Sequence, residues 1–95
     1  VLIIAGHARV DADQRDAYVA AFHDMIHRCR AARGCLDIAI TADSVDPSRV
    51  NILERWDNRE NLEAWRAISD PPQTGIPFDA DVMEYTVDSA RPPFG

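Results

Sequence analysis

Between Arg30 and Trp65 the sequence switches from a helical to an alternating hydrophobic period and back, with almost no linker between segments. Arg30-Ala31-Ala32-Arg33 leads into Gly34, whose tolerance of left-handed backbone stops a helix, and Cys35-Leu36 opens a strand at once. Asp43-Ser44-Val45-Asp46-Pro47-Ser48 is turn chemistry, and the returning strand runs from about Arg49 to Trp56. Asp57 and Glu60 then match a capping box for a second helix, which ends before Asp70-Pro71-Pro72. This order restricts the fold more than any single residue does.

The flanking segments complete the pattern. Residues 2–10 alternate, with Leu2, Ile4, Gly6, Ala8 and Val10 on one side and Ile3, Ala5, His7 and Arg9 on the other. Asp11 and Asp13 offer N-caps, and Val19, Phe22, Ile26 and Cys29 recur at helical spacing toward Arg33, with Tyr18 and Met25 widening the stripe. Read as one helix of roughly twenty residues, this segment spans about 30 Å. In the second strand Leu36, Ile38 and Ile40 share one face, and Asp37, Ala39 and Thr41 the other. Residues 70–78 form an irregular crossover, and a last strand from about Asp81 to Val87 precedes a proline-rich tail at 89–95.

The resulting β-α-β-β-α-β order predicts one α+β domain over residues 1–95, its core at about 2–88. The fold class is ferredoxin-like, a four-stranded antiparallel sheet with both helices on one face. The opposite apolar face, expected to carry Leu2, Ile4 and Val10, then needs a cover. A symmetric homodimer packed sheet against sheet supplies it.

Composition excludes several classes of function. A net charge of −6 opposes nucleic-acid binding, which needs a basic stripe facing phosphates. All ten basic residues are arginine, so lysine Schiff bases, a phosphate-loop lysine and a lysine-anchored pyridoxal cofactor are ruled out. The arginine bias points to a GC-rich bacterial genome. Cys29 and Cys35 are too few for a disulfide framework and are expected as reduced thiols in a cytoplasmic protein. Leu2-Ile3-Ile4-Ala5 is too short for a signal core, and no membrane span is expected. His23 and His27 share a helical face at a spacing a metal could use, but no third ligand accompanies them, and they read as solvent-facing.

Gly34-Cys35-Leu36, the Glu54-x-Trp56 pair and the Leu62-x-x-Trp65 helix, in this element order from His7 to Tyr85, resemble the antibiotic-biosynthesis monooxygenase family of small dimeric α/β-barrel proteins. The resemblance implies a dimeric barrel with a small apolar cavity between each sheet and its own helices. It also implies oxidation of an aromatic, quinol or polyketide-like substrate by molecular oxygen, with no metal or other cofactor. An electron-rich enolate or phenolate can itself pass an electron to oxygen. The protein then supplies a dry pocket, a proton acceptor and donors for the developing oxyanion.

On this resemblance three residues are expected to be catalytic. His7 falls near the first-strand position where haem-degrading members carry an asparagine, and would be the base. Trp65 would be a wall or donor, and Arg55 the anion-stabilising charge. Arg9, Tyr18 and Phe22 are expected to bind a small apolar aromatic substrate. Each has a structural alternative: His7 at the dimer seam, Trp65 and Tyr18 in the core, Arg9 and Arg55 paired with Glu54, Asp37 or Glu84. Trp56 reads as packing, and Glu54 as half of an ion pair if buried.

Haem degradation is the rival that Trp65 suggests. Those relatives hold iron with a histidine late in or just after the second helix, where this chain has Pro71-Pro72-Gln73-Thr74-Gly75. A non-catalytic dimer that binds a small ligand or serves as an accessory domain is the competing class. A closed core filled by Trp65 and Phe22 would favour it over catalysis.

Overall fold

The structure is a computed structural model and describes residues 1–94. Four strands form it: β1 (Leu2–Arg9), β2 (Cys35–Ala42), β3 (Arg49–Trp56) and β4 (Asp79–Thr86). They make one antiparallel sheet in the order β2-β3-β1-β4. The helices are α1 (Arg15–Ala21), α2 (His23–Arg30) and α3 (Arg59–Arg66), preceded by a 3-10 turn at Ala12–Gln14. The α+β, ferredoxin-like order holds, as an open sheet rather than a closed barrel within one chain.

Pleating divides β1 between two environments. Leu2, Ile4 and Ala8 are buried toward the helices; Leu2 and Ile4 pack with Cys29, Ile38, Trp56, Leu62 and Trp65. Ala8 and Val10 join Tyr18 and Val50 in a second cluster. Leu2, Ile4 and Val10 therefore do not form the uncovered face. That face carries the other parity, Ile3, Ala5 and His7, flanked by Leu53 and Arg55 on β3 and by Met83 and Tyr85 on β4. Met83 and Tyr85 are 58% and 51% exposed there.

Leu36 also departs from its expected face. The β2–β3 register shifts between Cys35 and Asp37, and the extra residue of this bulge turns Leu36 outward, 47% exposed, while Ile38 stays buried. The first helix is broken rather than continuous. The Phe22 amide bonds to the Val19 carbonyl at 3.2 Å, a tighter turn than an α-helix makes, and the Ile26 amide resumes from the Phe22 carbonyl at 2.9 Å. The break lets α1 place Tyr18 in one cluster while α2 places Cys29 in the other. Asp11 makes no side-chain cap, and Asp13 lies inside the 3-10 turn. At α3 the cap is Asn58, one residue later than expected, its side chain accepting from the Asn61 amide at 2.9 Å. Asp57 instead accepts from Asn61 Nδ2 at 2.9 Å.

Two glycines are required by close approach. A Cβ on Gly6 would stand 2.1 Å from the Asp81 carbonyl oxygen of β4. Gly34 ends the α2–β2 turn at φ +83°, and a Cβ there would stand 2.4 Å from both Asn61 Nδ2 and Asp57 Oδ1. On the outer edge of the sheet, the Ile38 amide donates to Asp37 Oδ1 at 2.9 Å. The Ile38 carbonyl accepts from Arg30 Nε and Nη2 at 3.2 and 2.9 Å.

Gly34→Ala is expected to destabilise the domain by about 1–3 kcal/mol through left-handed backbone strain, with the clash against the Asp57–Asn61 pair adding to it. The shift of the urea unfolding midpoint at constant slope measures this; an unchanged midpoint would contradict it.

Candidate functional site

The layer between sheet and helices is where β1 and β3 present Ile4, Gly6, Ile52 and Glu54 to α1, α2 and α3. The core there is split. One cluster surrounds Trp56 and Leu62, and the other surrounds Tyr18 and Val50. The cross-strand row Ile40–Ile52–Gly6–Val82 runs between them, and Gly6 contributes no side chain to it.

Glu54 occupies the adjoining row, beside Ile4 and Ile38. Its expected ion pair is absent among the described residues: Oε1 accepts from the Trp56 indole N–H at 3.0 Å. The result is a half-buried carboxylate on the helix side of the sheet, held by an indole. Cys29 and Cys35 stand beside it with their sulfurs 3.8 Å apart and no disulfide. Burial, with the neighbouring Cys35 and Glu54 adding to it, pushes Cys29 up to about 12, and burial raises Cys35 as well. Both thiols are therefore protonated at neutral pH and poor nucleophiles.

Tyr18 is 5% exposed and lies against Phe22 and Phe78, with ring centroids at 5.1 and 5.8 Å. Burial raises its pKa. Its hydroxyl is a donor set in an aromatic, apolar wall completed by Ile52 and Ile76.

The structure places Trp65 in this layer but does not bring His7, Arg55 or Arg9 to it. His7 follows the parity of Ile3 and Ala5 and stands on the uncovered face, between Asn51 on β3 and Asp81 on β4. Gly6 and Ala8 are its helix-side neighbours, because alternation puts successive residues on opposite faces. Arg55 shares the uncovered face, opposite Asp37 and Ile3. The sheet thus lies between His7 and Trp65. Trp65 is buried against Leu62 and Cys29, with the Arg28 guanidinium 5.6 Å from its ring centroid. Arg28 in turn bonds Asp24 and the Ser69 carbonyl at 2.8 and 2.9 Å. Glu84 pairs with Arg59 and Arg66 of α3, not with a strand arginine.

Arg9 is committed to the β2–β3 turn. Its Nη1 donates to Asp46 at 2.6 Å, and Arg15 Nη1 donates to the Asp43 and Asp46 carbonyls at 3.1 and 2.9 Å. The Arg9 bond and two donors from Ser48 hold the Asp46 carboxyl well below the usual range. The Asp46 amide, Asn51 and the Val45 amide hold Asp43 at about 2.

Residues 2–69 match the family described as Antibiotic biosynthesis monooxygenase. The chain belongs to that family. Among solved structures, a candidate antibiotic biosynthesis monooxygenase from Deinococcus radiodurans superposes with a TM-score of 0.83 at 20% identity, over 100% of both chains. A dimeric ferredoxin-like protein from an uncultured marine organism gives 0.74 at 13% identity, over 96% of this chain and 98% of that one. The haem degrader MhuD from Mycobacterium tuberculosis, solved with two haems in its active site, gives 0.69 at 14% identity, over 97% and 100%. No curated protein matches the chain.

For this member of the monooxygenase family, haem does not fit the donors present. His23 and His27 are exposed on α2 and line a groove against β2, and His7 faces away from the helices. No described histidine reaches the layer where Trp65 lies, and no group of three or more metal-binding side chains occurs among the described residues. No described helix is long and apolar enough to cross a membrane. Sequence reasoning missed the hydrogen bond between Glu54 and the Trp56 indole. The signal was present in Glu54-x-Trp56, whose spacing puts carboxylate and indole on one face of a strand.

The depressed carboxyls of the β2–β3 turn make a pH prediction. Groups whose folded pKa lies below the unfolded value stabilise above the ordinary range and lose that contribution as pH falls through the folded value. Thermal melts should therefore fall between about pH 5 and about pH 2. Asp43→Asn should flatten that decline. Parallel curves for the two proteins would count against the turn as its source.

Proposed function

We propose that the chain is a cofactor-independent oxygenase of electron-rich aromatics, acting in the layer between its sheet and helices. The observation that carries this reading is a pair of polar groups on the helix side of the sheet, the Glu54 carboxylate on β3, held by the Trp56 indole, and the Tyr18 hydroxyl on α1 in its aromatic wall. Membership of the family supports the reaction class, and the Deinococcus structure supports it by its name.

In this mechanism Glu54 takes the proton of a phenol, quinol or anthrone, and the Trp56 N–H holds the carboxylate in position. The resulting anion gives an electron to oxygen, the radical pair joins as a carbon–oxygen bond, and the peroxide anion takes the proton back from Glu54 to become a hydroperoxide. Loss of water from the hydroperoxide leaves a quinone or ketone, so one oxygen atom stays on carbon and the other leaves as water. Tyr18 donates to the developing oxyanion, and Phe22 and Phe78 stack on the flat substrate. Trp65 serves as the wall behind the Trp56 cluster.

The uncovered face, with Ile3, Leu53, Met83 and Tyr85, supports a homodimer through that face, as does likeness to the dimeric ferredoxin-like protein. The free thiols support a cytoplasmic setting. One specific arrangement favours a second reading: His7 lies directly across from Asp81, an imidazole beside a carboxylate. On this reading the seam between protomers holds the substrate, with His7 as base and Arg55 as the anion-binding charge.

Oxygen uptake by metal-chelated protein over a panel of quinols, anthrones and phenols tests both. Glu54→Gln is expected to lower kcat about 100-fold and Tyr18→Phe about tenfold, with His7→Ala near wild type. Loss in His7→Ala with Glu54→Gln unaffected would move the chemistry to the seam. Absence of protein-dependent uptake across the panel would end the oxygenase reading.

A further inference from the structure

We propose that a surface groove between α2 and the free edge of β2 binds a small amphipathic carboxylate, an acyl or aryl acid. Arg30, His27 and His23 would hold the carboxylate, and Val19, Ile26 and Ile40 the apolar body. The groove borders the Tyr18 cluster through Val19 and Ile40 but opens at the free edge of β2, and the proposal does not rest on the oxygenase reading.

The groove encloses about 310 Å³, and the six residues just named all line it. That volume lies at the lower end of the range for small-ligand pockets, roughly 300–1,000 Å³. His23, His27 and Arg30 stand at helical spacings of four and three, so one stripe of α2 carries every cationic or imidazole group of the lining. No carboxylate lines the groove, although the chain as a whole has a net charge of −6. Arg28, two residues before Arg30, is held by Asp24, whereas Arg30 has no carboxylate partner among the described residues. An anion entering here meets positive charge without a competing anion.

Arg30 is also held in place before any ligand arrives. Nε and Nη2 both donate to the Ile38 carbonyl, at 3.2 and 2.9 Å, which fixes the guanidinium over the strand edge and leaves Nη1 uncommitted. A planar donor held this way loses little freedom when it binds a carboxylate.

The same contacts decide against other occupants. Ile38 points its backbone groups away from β3, and its N–H and C=O are both taken, by Asp37 and Arg30. Alternation turns Ala39 and Thr41 toward β3, so beyond Ile38 only Ile40 and Ala42 carry open backbone pairs. Two residues make a short template for an added strand, which needs several in register. A metal would find two imidazoles and no third side-chain ligand, since no metal-binding group of three occurs among the described residues.

Octanoate and octanamide, titrated into the full chain in chelator and followed by NMR and calorimetry, separate these cases. Octanoate is expected to saturate below about 1 mM with shifts centred on His23, His27, Arg30 and Ile40, and octanamide to bind about tenfold more weakly. His23→Gln with His27→Gln, two exposed positions, should weaken octanoate about tenfold while leaving octanamide binding and Tm unchanged. Four results would overturn the proposal: equal affinity for acid and amide, shifts centred elsewhere, no saturation by about 10 mM, or an unchanged double variant.

Discussion

The pleat of β1 is the constraint on which the rest of the molecule depends. This strand is hydrogen-bonded on both edges, to β3 and to β4, so it can neither slip nor rotate without breaking two ladders. Its parity then assigns every side chain in the central sheet. Leu2, Ile4 and Ala8 go under the helices, while Ile3, Ala5 and His7 go to the open side. Their cross-strand partners follow the same rule, which places Trp56 and Glu54 inside and Arg55 and Leu53 outside. The chemistry available to each face is decided by this single choice of register.

On the inner side, the choice places the Glu54 carboxylate beside Ile4 and Ile38, in the row that also carries Glu84. Even a half-buried carboxylate needs a donor, and the indole of Trp56, two residues along the same strand, supplies it. The two core clusters meet at the row that contains Gly6, where a close backbone approach of β4 forbids any side chain.

Much of this was legible in the residues. Element order, β2 from Cys35 to Ala42, the Gly34 stop and the turn at Asp43–Ser48 follow from local chemistry: positive φ, proline and short polar side chains. What could not be read was the parity of β1, because both of its faces begin apolar and periodicity alone cannot say which one meets helices. That ambiguity carried His7 to the wrong side of the sheet relative to Trp65. The bulge at Leu36 was hidden because one inserted residue leaves the apolar pattern intact on paper while rotating a side chain outward. The break at Phe22 was hidden because α1 and α2 share one continuous stripe. Asn58 rather than Asp57 caps α3 because both are good caps and the choice is made by Gly34, which needs Asp57 and Asn61 packed beneath it.

The double occupation of Ile38 has a consequence for how copies of this chain can associate. A strand at the border of a sheet is ordinarily a template for further strands, and repeated addition gives open, growing polymers. Here Asp37 and Arg30 fill the donor and acceptor of the residue in mid-strand, and the Leu36 bulge distorts the approach from the other end. Lateral growth across β2 is blocked by hydrogen bonds the protomer makes with itself.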